Sequence, residues 1–264
     1  MTEFFDIASR TYDQDFTETY TGRLQRDQVW KYLDQHTAQA GSLHVLELNC
    51  GTGEDAVHLA KSGHVITATD ISEEMLERAR EKATEQGISH KIHLDRLDIT
   101  QIDSTHINHK FDLVFSNFGG LNCIGRAELE KFKADIRQLL KPNGTLIMVI
   151  MPELCIWESF YFLAKFRLNQ VFRRKKTSVM ADVSGVAVET WYYSPKKLSK
   201  VFKPEFSKVR LKPIGFFAPP SYMETFVKRH PLFFRFIGFM EQHFSRFGWQ
   251  SHMADHYYIE LQAR

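Results

Sequence analysis

The segment HVLELNCGTGEDA, residues 44–56, joins a short apolar run to a glycine-rich turn and then to the start of a second periodic stretch. Residues 44–48 have the length and apolar content of a buried strand. Gly51, Gly53 and Ala56 fit the spacing G-x-G-x-x-G/A, in which the glycines allow a tight turn and a close backbone approach to a ligand. Asn49 stands where such a turn often needs a positive φ, and Asn is among the few non-glycine residues that tolerate it. Asp70 follows at the end of the next apolar run, where this spacing places a carboxylate.

Outward from this turn the chain alternates. Residues 54–62 are apolar at 56, 57, 59 and 60, a helical spacing closed by Gly63. Residues 64–70 predict a second strand. Ser72 caps a helix that carries Glu73 and Glu74 in its first turn, Met75, Leu76, Ala79 and Ala83 on its apolar face, and Gly87 at its end. Residues 91–95 and 111–117 predict a third and a fourth strand. Leu129, Phe132, Ile136 and Leu139 predict a helix, Pro142-Asn143-Gly144 a turn, and residues 145–150 a fifth strand. Strands separated by amphipathic helices imply a doubly wound, mostly parallel α/β sheet covered on both faces. After residue 150 the alternation breaks. Residues 153–176 read as helical and basic, 186–193 and 206–217 as strands, 222–247 as a Phe-rich helical segment and 256–262 as a last strand. Two late strands bring the sheet to seven, and the rest of this half forms a helical lid or insertion.

Composition bounds the function. The chain has 264 residues, 43% hydrophobic and 25% charged, which fits a soluble globular protein and excludes a disordered or fibrous one. A net charge of +2 excludes a chain-wide charge for binding nucleic acid, but it hides a partition. Residues 1–160 hold 16 basic and 25 acidic side chains, whereas residues 161–235 hold 16 basic and 4 acidic. Of the 35 aromatic residues, 24 follow residue 150. Cys50, Cys123 and Cys155 are odd in number and widely spaced, so neither a disulfide framework nor a structural zinc is expected, and no metal site is read. The polar N-terminal residues lack the apolar core of a signal peptide, and the longest apolar run, residues 146–151, is too short to span a bilayer. The expected location is the cytoplasm.

Sheets of this kind bind ligands at the carboxyl ends of their strands. A dinucleotide would rest its pyrophosphate on the free N–H groups that open the helix after Gly53. Glu54 and Asp55 stand there and predict repulsion. A ligand with a cationic centre and no phosphate suits the place better, with Glu47 facing an ammonium or sulfonium group. Asp70 can accept from both hydroxyls of a ribose. Ile71 and Met75 can cover one face of an adenine, and Asp98 can accept from its amino group with Ile99 beside the ring. S-adenosyl-L-methionine carries all of these groups.

The stretches VLELNCGTGEDAVHLA, TATDIS, LDRLDIT and FDLVFSNFGG together resemble the class I, Rossmann-like S-adenosylmethionine-dependent methyltransferases, most of all their broad bacterial small-molecule group. The resemblance runs from residue 5 to 150. Its N-terminal part, FFDIASRTYDQDF, is similar to the helix that closes over the cofactor in that group. It implies that Glu47, Asn49, Gly51 and Gly53 hold the methionine moiety, Asp70 the ribose, and Asp98 and Ile99 the adenine. Asn117 would lie beside the transferring methyl and Tyr12 in the cofactor lid. Asn49 departs from the family's usual glycine. The implied organisation is a helical lid (1–40), a cofactor-binding core (41–150), an acceptor-binding insertion (151–255) and a final strand (256–264). The implied reaction moves a methyl group to a small-molecule or lipid-like acceptor and leaves S-adenosylhomocysteine; no catalytic side chain is indicated. An NAD(P)-dependent oxidoreductase and a non-catalytic adenosylmethionine-binding protein are the alternatives. The loop Ser116-Asn117-Phe118-Gly119-Gly120 lacks the paired prolines of enzymes that methylate exocyclic amines of bases, so nucleic acid is not an expected partner.

Three features of the second half stay open at this level. The aromatic and basic run 165–176 fits a solvated helical face, a helix lying on anionic lipid, or an attractor for an acidic substrate. Positions 233, 236/237, 240, 244 and 247 form one helical stripe, read chiefly as core between lid and sheet. His256 follows Asp255 at the start of the last strand, either as a polar residue at a strand start or as a base for an acceptor hydroxyl.

Overall fold

A computed structural model describes residues 5, 6, 8–102, 107, 109–183 and 186–264. Residues 1–4 and 7 of the expected lid, 103–106 and 108 of the expected core, and 184 and 185 of the expected insertion lie outside the described residues. The first five strands are β1 (His44–Leu48), β2 (Val65–Asp70), β3 (Ile92–Arg96), β4 (Phe111–Ser116) and β5 (Leu140–Ile150). The later ones are β6 (Val179–Val183), β7 (Val186–Thr190), β8 (Phe206–Ile214) and β9 (His256–Ala263). Seven of them form one sheet in the order β3-β2-β1-β4-β5-β9-β8, and β6 and β7 form a separate hairpin. β3 through β5 run parallel; β9 is antiparallel to both β5 and β8. The expected seven-stranded, mostly parallel sheet is therefore the observed one.

Side-chain alternation along the strands fills two cores. Val45, Leu113, Phe115, Ile147 and Val149 pack against Val29 and Leu33 of α1 (Tyr20–Thr37), Leu59 of α2 (Glu54–Lys61) and Leu76 of α3 (Glu73–Glu85). Leu46, Leu48, Val114, Leu146 and Met148 point the other way, onto Leu129, Phe132 and Ile136 of α4 (Arg126–Leu139). Each such Leu or Phe, fully buried, contributes roughly 1.5–3 kcal/mol. The Ser72 hydroxyl accepts from the Met75 N–H and caps α3 as its sequence predicts.

Several expectations fail for identifiable reasons. Pro142-Asn143-Gly144 lies inside β5 rather than before it. The pairing jumps from Phe111–Leu140 to Leu113–Thr145, so these residues form an irregularity, with Asn143 at φ 60°. Residues 153–176 are not one helix: α5 (Ile156–Ala164) ends, Phe166 turns at φ 55°, and two short 3₁₀ turns follow at Leu168–Gln170 and Arg173–Lys175. The strand expected at 186–193 is β7, which pairs with β6 away from the main sheet. Beyond α6 (Pro195–Val201), the Phe-rich segment splits at Pro231 into α7 (Glu224–Arg229) and α8 (Pro231–Phe244), because proline lacks the N–H that would continue the first helix. Its buried residues are Phe234, Ile237, Gly238 and Glu241, while Phe233, Phe236, Phe239 and Phe244 are exposed. Both faces of α8 are apolar, and tertiary packing selected the face opposite to most of the expected stripe.

The second half is tied to the sheet by buried charge. Arg174, on the turn after α5, donates to Asp255 (2.8 Å) and Glu158 (3.1 Å), and Arg173 makes a two-point contact with Glu158. Arg173 and Arg174 thus turn inward instead of sharing an outer basic face. Burial alone would raise the carboxyls of Glu158 and Asp255. The arginines, with His256 beside Asp255, outweigh it and hold both below the usual carboxylate range. Stability from such depressed groups is fully present above the unfolded value, near pH ~4, and is lost as pH falls through the folded values. Arg174→Ala leaves two buried carboxylates short of a cation and should cost roughly 3–5 kcal/mol at neutral pH. In urea denaturation, the gap between variant and wild type should narrow below about pH 4 as the carboxyls protonate; a gap independent of pH would contradict this assignment.

Candidate functional site

The sheet order reverses between β1 and β4, and a crevice opens at their carboxyl ends. Two asparagines meet there. Asn49, at φ 48°, donates from Nδ2 to the Asn117 carbonyl (2.9 Å) and accepts from the Ser116 hydroxyl at Oδ1 (2.6 Å). Gly120 has no room for a side chain: a Cβ there would come within 2.2 Å of the Asn49 Cγ. Asparagine in place of the usual glycine at 49 is thus matched by glycine at 120.

The turn itself is built on Asp70. Its carboxylate accepts from the N–H of Gly51 (2.9 Å) and of Ser72 (3.0 Å), which joins the glycine turn to the cap of α3. Burial raises its pKa, and these backbone bonds oppose the rise. Gly53, at φ 78°, opens α2 and lets it pass close to α3, since a Cβ would lie 2.7 Å from that of Ala79.

A cavity of about 190 Å³ lies over these strand ends. Of the residues singled out from the sequence, Tyr12, Asn49, Gly51, Asp70, Ile71, Met75, Asp98, Ile99 and Asn117 line it. Glu47 and Gly53 do not. Glu47 lies buried within β1, paired between β2 and β4, with Oε2 unpartnered. Burial, and secondarily the charge of Asp55, raises its pKa well above the carboxylate range. It is the turn's floor rather than a wall of this cavity. Asp98 holds Thr100 through its backbone N–H (2.8 Å) and hydroxyl (2.7 Å), which fixes the loop after β3. Cys123 is also on the wall, its thiol pushed up to about 11 by burial.

The N-terminal segment covers the cavity. Phe5 and Tyr12 line it from above, and burial pushes the Tyr12 phenol up to about 12. Asp13 latches the segment down, accepting from the Thr52 hydroxyl (2.7 Å) and pairing with Lys82 (2.8 Å). Ser72 donates to Asp6 (2.6 Å). The described residues here make short helical turns rather than one helix, with Ile7 outside the description.

Glu54 and Asp55 do not behave as their positions predict. Glu54 pairs with Lys82 (2.6 Å). Asp55 is buried and accepts from Arg26 (2.7 Å), Trp30 (2.6 Å) and Asn117 (2.8 Å). Cations from α1 and α3 offset both acids, so they do not repel an anion as free carboxylates would. Arg26 is the main residue that sequence reasoning missed. It comes from the buried face of α1, lies over Phe118 (5.0 Å), and keeps Nε buried without a partner beside a small cleft at the glycine turn.

A second cavity, of about 630 Å³, adjoins the first across Tyr12, Phe118, Met151 and Thr190. Its walls come largely from the second half of the chain, including Tyr192, Tyr222, Arg173 and Lys228. His256 is on this wall, edge-on to Phe118 at 5.5 Å, with Nδ1 3.3 Å from Asp255 Oδ2. Among the described residues no cluster of side chains suited to a metal ion is found.

Residues 45–144 match the family model of a methyltransferase domain. The chain is 30% identical over 149 residues to a demethylmenaquinone methyltransferase of Leptospira interrogans, covering 55% of this chain and 57% of that protein. It is 29% identical over 150 residues to a tRNA 5-carboxymethoxyuridine methyltransferase of Escherichia coli, covering 55% of each. The chain thus spans little more than half the length of these curated relatives. Over 92% of this chain and 84% of the other, it superposes on magnesium protoporphyrin IX methyltransferase from Synechocystis, solved with bound S-adenosylhomocysteine, with a TM-score of 0.59 at 15% identity. That likeness shows the fold.

The paired fit of residues 49 and 120 is directly testable. Gly120→Ala should lower stability by about 1–3 kcal/mol through overpacking against Asn49. Adding Asn49→Gly to the same chain should restore most of the loss in thermal melts; equal melting of the two variants would show that the contact is not the cause.

Proposed function

We propose that this chain, whose core is a methyltransferase domain of the class I fold, is an S-adenosylmethionine-dependent methyltransferase acting on a small or hydrophobic acceptor. One observation supports this most: nine residues singled out for an adenosylmethionine site from the sequence lie on the wall of a single cavity within the matched domain and its N-terminal cover. The donor set fits that ligand. Asp70 offers a carboxylate for the ribose hydroxyls, and Asp98 one for the adenine amino group. Arg26 offers a buried, unpartnered N–H for the ligand's carboxylate. Asn117 lines the first cavity next to Phe118, the ring shared with the second, and would lie beside the departing methyl.

S-adenosylmethionine supplies a methyl group already activated by a sulfonium. The protein's residues then have to bind, align and exclude water. The Tyr12 cover and the Phe118 partition serve the last task, and the second cavity would hold the acceptor. Its wall mixes aromatic rings (Phe16, Phe118, Tyr192, Tyr222) with acidic and basic side chains, which supports a small acceptor with both apolar and polar parts, although one relative acts by its name on tRNA. Free cysteines, two of them buried, support a reducing, cytoplasmic setting.

A nicotinamide dinucleotide is the competing ligand, because the offset charges of Glu54 and Asp55 remove the strongest objection to it. Calorimetric titration separates the two. S-adenosylmethionine and S-adenosylhomocysteine should bind and NADH should not; the reverse would overturn the reading. Asp70→Ala should weaken adenosylmethionine binding by about 1–3 kcal/mol, as for a lost hydrogen bond to a charged group. Unchanged affinity would place the ribose elsewhere.

A further inference from the structure

We infer that the second half of the chain carries a surface that docks on anionic lipid bilayers. Two adjoining elements supply it. From α5 onward, Phe160, Leu163, Phe166, Leu168 and Phe172 are all exposed, with Phe166 at 89%. On α8, Leu232 is 78% exposed, and Phe233, Phe236, Phe239 and Phe244 stand out beside it. The elements are packed together: Trp157 of α5 donates to the Phe217 carbonyl (2.7 Å) and packs with Val227, Phe234 and Ile237, and Tyr161 meets Tyr222 edge-on. Large apolar side chains exposed in such number mark a contact surface.

Charge selects the occupant. Between residues 159 and 181 every charged side chain is basic, and the nearest acid before them, Glu158, is buried and paired. Arg173 and Arg174 turn inward to Glu158, which leaves Lys165, Arg167, Lys175 and Lys176 outside. Lys165 and Lys175 lie over the rings of Tyr161 and Phe172. Around α8 stand Lys228, Arg229, Arg235 and Arg246; of the two acids nearby, Glu241 is buried and accepts from the N–H groups of Gly215 and Phe217, and half-buried Glu224 accepts from the N–H groups of Tyr20 and Thr21. A second copy of this chain would bring like charges together. An anionic membrane surface satisfies both the cations and the aromatic side chains, which settle at the headgroup level. Attachment is to the surface, since among the described residues no helix is long and apolar enough to cross a membrane. On the reading of the larger cavity as the acceptor chamber, this surface flanks its mouth: Arg173, Tyr222 and Lys228 belong to the cavity wall. An acceptor dissolved in the bilayer would then enter without crossing water.

The test is co-sedimentation of the full chain with vesicles of phosphatidylcholine alone and of phosphatidylcholine mixed equally with phosphatidylglycerol. The protein should pellet with the mixed vesicles, less with the neutral ones, and less again as salt is raised. Lys175→Gln with Lys176→Gln should weaken binding to the mixed vesicles about 30-fold. Phe166→Glu and Phe236→Glu should abolish most of it, with circular dichroism confirming that each variant is folded. The lysine variant alters only exposed charge, so it tests the proposal even if a Phe variant unfolds. Failure to pellet, or pelleting that ignores both salt and the substitutions, would overturn the inference. So would a concentration-dependent dimer that Phe236→Glu dissociates, which would make a second copy the occupant. Cofactor titration is measured separately, so a wild-type chain that binds adenosylmethionine but no vesicle would sink this inference and leave the proposed activity standing.

Discussion

The buried carboxylate of Asp55 is the contact on which the site depends. It lies in the first turn of α2 and accepts from Arg26 and Trp30 of α1 and from Asn117 after β4. A buried charge that loses its partners costs several kcal/mol, so these donors are held in place. Holding them fixes α1 against the glycine turn and aims Asn117 along the crevice. It also sets Arg26 over Phe118, the ring that parts the two cavities. The neighbouring acid, Glu54, does related work at the rim: through Lys82 it shares a cation with Asp13 and helps to keep the cover down.

Around that contact the site is made mostly of carboxylates that orient backbone. Asp70 holds the N–H groups of Gly51 and Ser72, and Asp98 holds Thr100. A carboxylate already engaged in this way is fixed in direction before any ligand arrives, which lowers the entropic cost of binding. The same side chains therefore shape the loops and offer the acceptor atoms.

The strand ends were legible in the sequence because a parallel sheet repeats a simple rule, apolar run then loop, and β1 to β4 obey it. Asp70, Asp98 and Asn117 follow directly from that rule. Arg26 does not, since its burial depends on which face of α1 meets the turn, and that is a tertiary matter. Glu47 is a residue type that suits a cationic ligand, but its place inside β1 buries it away from the cavity wall, and that burial disfavours its charged form. In α8 periodicity found an apolar stripe yet had no means of choosing between two apolar faces. The hairpin partner β6 was missed because the sequence VMADV lacks strict alternation. The acidic first half and basic second half keep a physical sense: most acids at the strand ends are spent within the site, whereas many of the later cations face outward.

Hydrogen exchange resolved along the chain addresses the central claim most directly, namely that the covered cavity at the ends of β1 to β4 is an adenosyl-ligand site. Adding S-adenosylhomocysteine should slow exchange at residues 12–17, 50–53 and 98–100 together, since the cover, the glycine turn and the loop after β3 line or latch one cavity, and NADH should leave them unchanged. Slowing by NADH alone, or slowing confined to other segments, would contradict the account.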